Sequence, residues 1–211
     1  MTRLSAIRAV WSFCNAQARL CQSDFDLKIF NQSRYAVHMQ YCPHCRKTLE
    51  KLFLGERDRL ACPDVQCGFV HWNNPIPVVA AIVEYDDHII LVQNVGWPKS
   101  WYGLVTGFLE AGEMPEEGVL REVEEEIGLT ATLESYVGMY EFYRQNQLLI
   151  TYHVTVNSNE VKIPKHEIAD FKWVHVDKVE PWTAGTGQAL RDWLQGRGIE
   201  RDLVEFGNAN R

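Results

Sequence analysis

The chain has 211 residues, of which 46% are hydrophobic, enough for one domain of ordinary size with a small appendage. Its formal net charge of -7 is unlike that of a general nucleic-acid binder, which is usually basic, although divalent cations let an acidic protein act on phosphates. No uninterrupted apolar run approaches the ~18 residues of a membrane span. We therefore expect no membrane partner and no broad nucleic-acid binding.

Residues 1–38 differ in composition from the rest of the chain. Before Asp24 they carry three arginines and no acidic residue. Apolar residues recur every three to four positions from Leu4 to Cys14, which fits an amphipathic helix. The alternative is a poorly ordered or wrongly assigned extension, with Met39 as the true start. We therefore set this segment apart as an N-terminal extension, either helical or poorly ordered.

Four cysteines form two close pairs after that extension. Cys42 and Cys45 have C-x2-C spacing, and Cys62 and Cys67 have C-x4-C spacing. Four thiolates in this arrangement fit a closed, tetrahedral zinc site that folds its segment and does not catalyse. We therefore predict a structural Zn²⁺ in a zinc ribbon over residues 39–73. Paired cysteines also favour a reducing compartment, so we expect a cytoplasmic protein.

Two histidines and two further cysteines complete the possible ligands of this region. His44 and His71 are possible substitutes for a cysteine ligand, although surface positions suit them better. Cys14 and Cys21 lie outside the paired set and have no evident partner in it. Four buried free thiols are the alternative to a zinc site, but the paired spacing argues against them.

After residue 74 the sequence alternates between strand-like and helix-like segments. We predict strands at 78–85, 88–93, 101–105, 136–143, 148–156 and 171–176, and helices at 115–127 and 187–195. Strands mixed with two helices indicate a layered α/β sandwich. We assign residues 74–200 to this domain and residues 201–211 to a C-terminal tail.

The first of these helices carries an unusual set of carboxylates. Three glutamates at positions i, i+3 and i+4 share one face: Glu122, Glu125 and Glu126. Arg121 lies four residues before Glu125 and can steady it. Carboxylates this close repel one another, and hard divalent cations with oxygen ligands supply the counter-charge. A solvated acidic helix face is the alternative.

The glutamates belong to a longer pattern with many fixed positions. It reads Gly, five residues, Glu, seven residues, Arg-Glu, an aliphatic residue, any residue, Glu-Glu, any residue, Gly and an aliphatic residue. Every fixed position is met between Gly107 and Leu129. The segment resembles the Nudix box. The resemblance implies a Nudix αβα sandwich with a mixed sheet, and hydrolysis of a nucleoside diphosphate linked to another moiety.

The resemblance also implies a site for Mg²⁺ or Mn²⁺. By their positions in the box, Glu122 and Glu126 resemble metal ligands, and Glu125 resembles a further ligand or a base. The main-chain carbonyl of Thr106, just before the box, resembles another ligand. The implied mechanism is attack of a metal-activated water on phosphorus, with the cations neutralising the charge that builds on the leaving phosphate.

Three more residues complete the implied catalytic set. Glu113 looks like the residue that orients the glutamates of the helix, and Arg121 accompanies it in the box. Glu167 precedes a predicted strand that contains Trp173, as in many Nudix enzymes, and it looks like the late metal ligand or general base. An ordinary loop carboxylate is the alternative for Glu167.

A zinc ribbon, an Asn-Pro linker and a Nudix domain together resemble the NADH pyrophosphatase branch of the family. That branch carries a Ser-Gln-Pro-Trp-Pro-Phe-Pro type motif after the box, and residues 140–147 have no such motif here. Enzymes acting on FAD or ADP-ribose are equally compatible. The resemblance therefore implies a small nucleotide substrate cleaved to AMP and a monophosphate. It leaves a capped RNA end as the one nucleic-acid partner to consider, and allows a homodimer.

Substrate contacts are the least defined part of the predicted site. Aromatic residues able to stack on adenine are Trp97, Trp101, Tyr102, Phe142 and Tyr143, of which we select Trp101, Phe142 and Tyr143. Each could equally be a core or lining residue. Two other functions stay open: a nucleotide-sensing or nucleic-acid-binding module, and a house-cleaning pyrophosphatase of oxidised nucleoside triphosphates.

Overall fold

The chain is described by a computed structural model that covers residues 39–210. The two interpretations of residues 1–38 lie outside the described residues. The described chain divides into two compact units, the first ending at Pro75 and the second beginning at Ile76. Neither helix in this part of the chain is long and apolar enough to cross a membrane.

The first unit is an antiparallel sheet of three strands, β1 (Glu50–Leu54), β2 (Arg57–Ala61) and β3 (Val70–His71), in the order β1-β2-β3. Gly55 and Glu56 both have positive φ, which gives the tight left-handed turn that joins two antiparallel strands. Buried Cys42, Leu49 and Cys62 form its small core. The cysteines are therefore the centre of this unit, as a metal-nucleated ribbon requires.

The second unit contains six strands and two helices. In chain order they are β4 (Ile76–Tyr85), β5 (His88–Asn94), β6 (Val105–Phe108), α1 (Pro115–Ile127), β7 (Ala131–Phe142), β8 (Gln147–Val156), β9 (Ile168–His175) and α2 (Gly187–Gly196). The strand order is β7-β8-β4-β5-β9, and β6 pairs with β4. The β4–β8 pair is parallel and the other pairs are antiparallel, so the sheet is mixed.

Each face of this sheet carries one helix. Val123 and Ile127 of α1 pack with Val79 on one face, whereas Leu190 of α2 packs with Ile82 on the other. The side chains of β4 alternate between the two cores because successive residues of a strand point to opposite faces. The predicted αβα sandwich with a mixed sheet is confirmed.

One predicted strand, 101–105, is misplaced. The backbone N–H of Trp101 donates to the carbonyl of Pro98, and the Gln93 side chain donates to the carbonyls of both residues, so the start of this segment is a hydrogen-bonded loop. Gly103 makes an isolated antiparallel bridge with Val92 before β6 begins at Val105. The true strand is β6, which includes Gly107. The prediction failed because it treated that glycine as part of a loop, whereas β6 needs it for close packing, as described below. Strands β7 and β9 also begin earlier than predicted.

Residues 201–210, which we set apart as a tail, pack on the second unit. Val204 forms a parallel bridge with Trp182, and Phe206 and Ala209 join the core beneath α2. Asn210 is buried as well.

Candidate active site

Strand β6 and helix α1 approach so closely at Gly107 that no side chain fits there. A carbon added at this position would overlap the carboxylate of Glu122. The first glycine of the sequence pattern is therefore a packing requirement, because only glycine lets the backbone of β6 reach that carboxylate.

Arg121 links the loop before α1 to the glutamates of the helix. Its Nε donates to Glu113 Oε1 at 2.7 Å and its Nη2 to Glu113 Oε2 at 3.0 Å, a forked pair, while its Nη1 donates to Glu122 Oε1 at 2.7 Å. The Arg121 hydrogen bonds lower the pKa of Glu113. Glu113 thus contacts the arginine, and through it reaches Glu122.

Glu126 is the most buried carboxylate of the site, with 7% of its surface exposed. Its Oε2 has no hydrogen-bond partner among the described residues. Burial raises the pKa of Glu126 well above its ordinary value, and the nearby charges of Glu122 and Glu167 raise it further, whereas the backbone of Thr106 lowers it. An orphaned, buried oxygen among like charges is costly unless a cation binds it.

The other two predicted carboxylates are more accessible. The side chain of Glu125 is 54% exposed and lies 3.4 Å from Arg121. The side chain of Glu167 is 33% exposed, and its backbone carbonyl accepts a hydrogen bond from Val95 at 2.7 Å. Because the charge of Glu167 acts on Glu126, the loop before β9 meets α1 at this site.

The donor set fits a hard divalent cation. Carboxylate and carbonyl oxygens are the ligands that Mg²⁺ and Mn²⁺ prefer. The carboxylate of Glu126 has one unpartnered oxygen and interacts with the backbone of Thr106. In residues 39–210, however, the one group of ligand atoms that all lie within 4.8 Å of one another is the four cysteines.

The four cysteines fit a tetrahedral zinc site. Cys42 Sγ lies 3.5 Å from Cys67 Sγ, and Cys45 Sγ lies 3.4 Å from Cys62 Sγ. Zinc–sulfur bonds of about 2.3 Å place tetrahedral sulfurs about 3.8 Å apart, close to these distances. Burial tends to raise the pKa of Cys42, but backbone N–H groups of Cys45 and His44 hold it at about 7. A backbone hydrogen bond tends to lower the pKa of Cys67, but burial and the neighbouring thiols raise it to about 12, so a bound cation is what would allow all four thiols to ionise.

The predicted stacking residues lie in different surroundings. Trp101 packs against Phe206, with ring centroids 5.0 Å apart, and against Gly207. Phe142 lies next to Gly185, at the approach to α2. Tyr143 follows β7 and is 77% exposed. Trp101 therefore belongs to an aromatic cluster, and the other two lie at the end of β7.

Sequence reasoning missed Phe108 and Ile76. The sheet register aligns Phe108, Val78, Leu149 and Tyr140 across four strands, on the face opposite α1. Ile76, two residues before Val78, shares that face, and both it and Phe108 are exposed. The orientation of Phe108 could have been predicted, because the neighbour of a strand residue that faces α1 must face the other way. It was not predicted because the strand was placed at 101–105.

Fold and site together define a class of protein, and the NUDIX domain matches residues 75–193, more than half of the chain. The chain belongs to the Nudix family. It is similar to the NAD-capped RNA hydrolase NudC of Pseudomonas aeruginosa (strain LESB58), with 28% identity over 178 residues, 84% of this chain and 58% of that protein. The protein of the same name from Vibrio vulnificus (strain CMCP6) is 30% identical over 159 residues, 74% of this chain and 58% of the relative.

The matched region is thus less than two thirds of the length of these relatives. Among solved structures, a NUDIX hydrolase from Nitrosomonas europaea is similar with a TM-score of 0.64. The match covers 79% of this chain and 97% of that one at 19% sequence identity. This likeness shows that the two proteins share a fold.

Proposed function

We propose that the chain hydrolyses the phosphoanhydride bond of an ADP-containing compound, of the NAD(H), FAD or ADP-ribose type, in the presence of Mg²⁺ or Mn²⁺. The products are AMP and a second monophosphate. The observation that carries the proposal is the buried, unpartnered oxygen of Glu126 among the carboxylates of a complete Nudix box. A nucleotide-sensing domain has no need of the whole glutamate set.

Glu122, Glu126 and the Thr106 carbonyl would hold the cation, with Glu125 and Glu167 as additional ligands. Bound divalent cations lower the pKa of water and neutralise charge on the departing phosphate. Glu113 and Arg121 keep Glu122 in place through their forked pair. The buried carboxylates would thus bind the cation, and the Glu113–Arg121 pair would orient them.

The general base is best sought among the accessible carboxylates. Burial raises the pKa of Glu122 and of Glu126, and their positions suit binding of a cation. Glu125 and Glu167 reach solvent, so that either can accept a proton from the attacking water and release it. We favour Glu167, because it comes from a different loop and faces the helix across the site.

The proposed substrate class is defined by the ADP group that its members share. NAD, FAD and ADP-ribose all contain ADP, and the relatives reported above are named for a NAD-linked substrate. Phe142 lies on the same sheet face as Ile76 and Phe108, so an adenine has apolar and aromatic side chains to meet there. Trp101 and Tyr143 would contribute at its borders. The absent proline-rich motif keeps NADH from being singled out.

A substrate panel tests the proposal directly. NADH, NAD, FAD, ADP-ribose and NAD-capped RNA are incubated with Mg²⁺ or Mn²⁺, and the products are separated by chromatography. We expect AMP or the AMP-ended RNA from at least one of them, and no product with a chelator. If all stay intact while a nucleoside triphosphate is turned over, the house-cleaning function replaces this one. Binding without turnover would favour a sensing module.

We further propose a reducing, cytoplasmic location and a homodimer. The first is supported by four cysteines that are free thiols arranged to bind a metal. The second is by analogy with the family and is tested by light scattering at several protein concentrations. Partners other than a small nucleotide are expected only as a capped RNA end, because the net charge is -7.

Gly107→Ala is expected to lower kcat at least roughly tenfold, since displacing a catalytic group by about 1 Å can cost ~10²-fold. The added methyl group would push the Glu122 carboxylate out of the site. Steady-state kinetics on the substrate found in the panel, with thermal unfolding to check the fold, makes the measurement. Gly196→Ala is the matched control, because nothing lies within 4 Å of a side chain there. Equal kcat values for both variants would contradict the role given to Gly107.

A further inference from the structure

Residues 204–210, which we name the anchoring segment, are fixed to the second unit by polar contacts. Asn210 donates its backbone N–H to Glu180 Oε2 at 2.9 Å and its Nδ2 to the Glu180 carbonyl at 2.8 Å. Its Oδ1 accepts the Glu180 N–H at 2.8 Å. Lys172 of β9 donates to the Asn210 carbonyl, and Val204 donates its N–H to Pro181. The segment is therefore held along its length.

Phe206 projects from this segment into a group of tryptophans. Its ring centroid lies 5.0 Å from that of Trp101, 5.9 Å from that of Trp97 and 5.6 Å from that of Trp182. Trp182 is fully buried, so it gives Phe206 a firm support. Phe206 therefore joins the anchoring segment to the loop at 95–102.

That loop in turn reaches the candidate base. The N–H of Val95 donates to the Glu167 carbonyl at 2.7 Å, and the N–H of Trp97 donates to Asn94 at 3.1 Å. Gln93 is buried and donates to the carbonyls of Pro98 and Trp101. The loop is thus tied to the sheet at one end and to Glu167 at the other, and its two tryptophans rest on Phe206.

We infer that Phe206 is a positioning residue for Glu167, acting through Trp97, Trp101 and the backbone of Val95. The inference rests on the proposed function in giving Glu167 a role in the reaction. The mechanical link itself does not depend on that role. Loss of the Phe206 ring would free the loop, and Glu167 would then sample positions away from the α1 carboxylates.

The test compares Phe206→Ala, Phe206→Leu and Glu205→Ala. Glu205 is the exposed neighbour of Phe206, so its variant controls for a change in the same segment. Hydrogen exchange is followed at residues 95–102 and 164–168, together with kcat, KM and the Mg²⁺ concentration for half-maximal activity. We expect Phe206→Ala to speed exchange in both segments, lower kcat roughly tenfold, raise the Mg²⁺ requirement and leave KM nearly unchanged. Leu should restore most of each value.

Several outcomes decide against the inference. Faster exchange at 95–102 without any change at 164–168 would overturn the link to Glu167, as would a wild-type kcat in folded Phe206→Ala. If Phe206→Ala unfolds, Phe206→Val carries the test, because valine also withdraws the contacts to Trp97 and Trp101. Wild-type exchange together with wild-type kinetics in folded Phe206→Val would count against the inference. If the wild type hydrolyses none of the panel, the proposed function fails, and the exchange data still decide the mechanical link.

Discussion

Replacing Glu126 with glutamine is expected to lower kcat by ~10²-fold or more while the protein stays folded. Glutamine has nearly the same shape but no charge, so the cation would lose an anionic oxygen from the most buried position of the site. Glu122 and Glu167, whose charges act on Glu126, would have to hold the cation with one anionic oxygen fewer. Steady-state kinetics across a range of Mg²⁺ concentrations measures the loss.

Glu124→Gln is the matched control for this change. It alters the same charge two residues away on the same helix, but Glu124 is exposed. We expect it to keep close to wild-type kcat. Wild-type turnover in Glu126→Gln, or an equal loss in both variants, would remove Glu126 from the set of metal ligands.

Glu126→Gln, which should lower kcat, is expected to raise the stability of the protein when no divalent cation is present. Because burial raises the pKa of Glu126, the native state binds its proton more tightly than the unfolded state does. The native state therefore loses stability as the pH rises from the ordinary glutamate pKa through the raised value. Glutamine does not titrate, so Glu126→Gln should unfold at a higher temperature than the wild type at neutral pH with a chelator, and the difference should shrink at acidic pH.

The second large effect is expected for Cys62→Ser, which should abolish stoichiometric zinc and unfold the first unit. Structural zinc contributes about 10–16 kcal/mol of apparent binding free energy in small metal-dependent folds, far more than the small core of this unit can replace. Metal analysis of protein purified without chelator should give one zinc per wild-type chain. Limited proteolysis should then cleave the variant between residues 39 and 75, with a smaller loss in kcat than in stability.

His44→Ala distinguishes a zinc site made of four cysteines from one made of three cysteines and a histidine. His44 is exposed and its ring lies 5.2 Å from that of Phe69, outside the group of four sulfurs. The variant should keep its zinc. Wild-type protein that contains no zinc would contradict the predicted site, and loss of zinc from His44→Ala would reassign one ligand.

Helix α1 was predictable because its pattern is local. Spacing alone puts Glu122, Glu125 and Glu126 on one face, and the helix ends where Gly128 takes a left-handed conformation. Burial was not predictable, since an isolated helix cannot tell which glutamate meets a second loop. Glu126 is buried because Thr106 and Glu167 arrive from distant parts of the chain.

The contribution of Phe206 was not predictable either, because it depends on contacts between distant parts of the chain. It lies about a hundred positions from the tryptophans that it supports, and nothing in residues 201–210 has the periodicity of a strand or helix. Its role depends on pairings such as that of Val204 with Trp182, which single-sequence patterns do not encode.

Strand β4 shares one of its edges between two partners, β6 along Val78–Ala81 and β5 only at Glu84 and Tyr85. Residues 95–104 connect the end of β5 to the start of β6. The length of this connection therefore fixes where Thr106 and Gly107 meet α1. Insertions there should be poorly tolerated in a deep mutational scan. The turn at Asp86–Asp87, at the opposite end of β5, does not set that meeting point, and it is held instead by the Val176 N–H, which donates to the Asp87 carbonyl, and by Arg197.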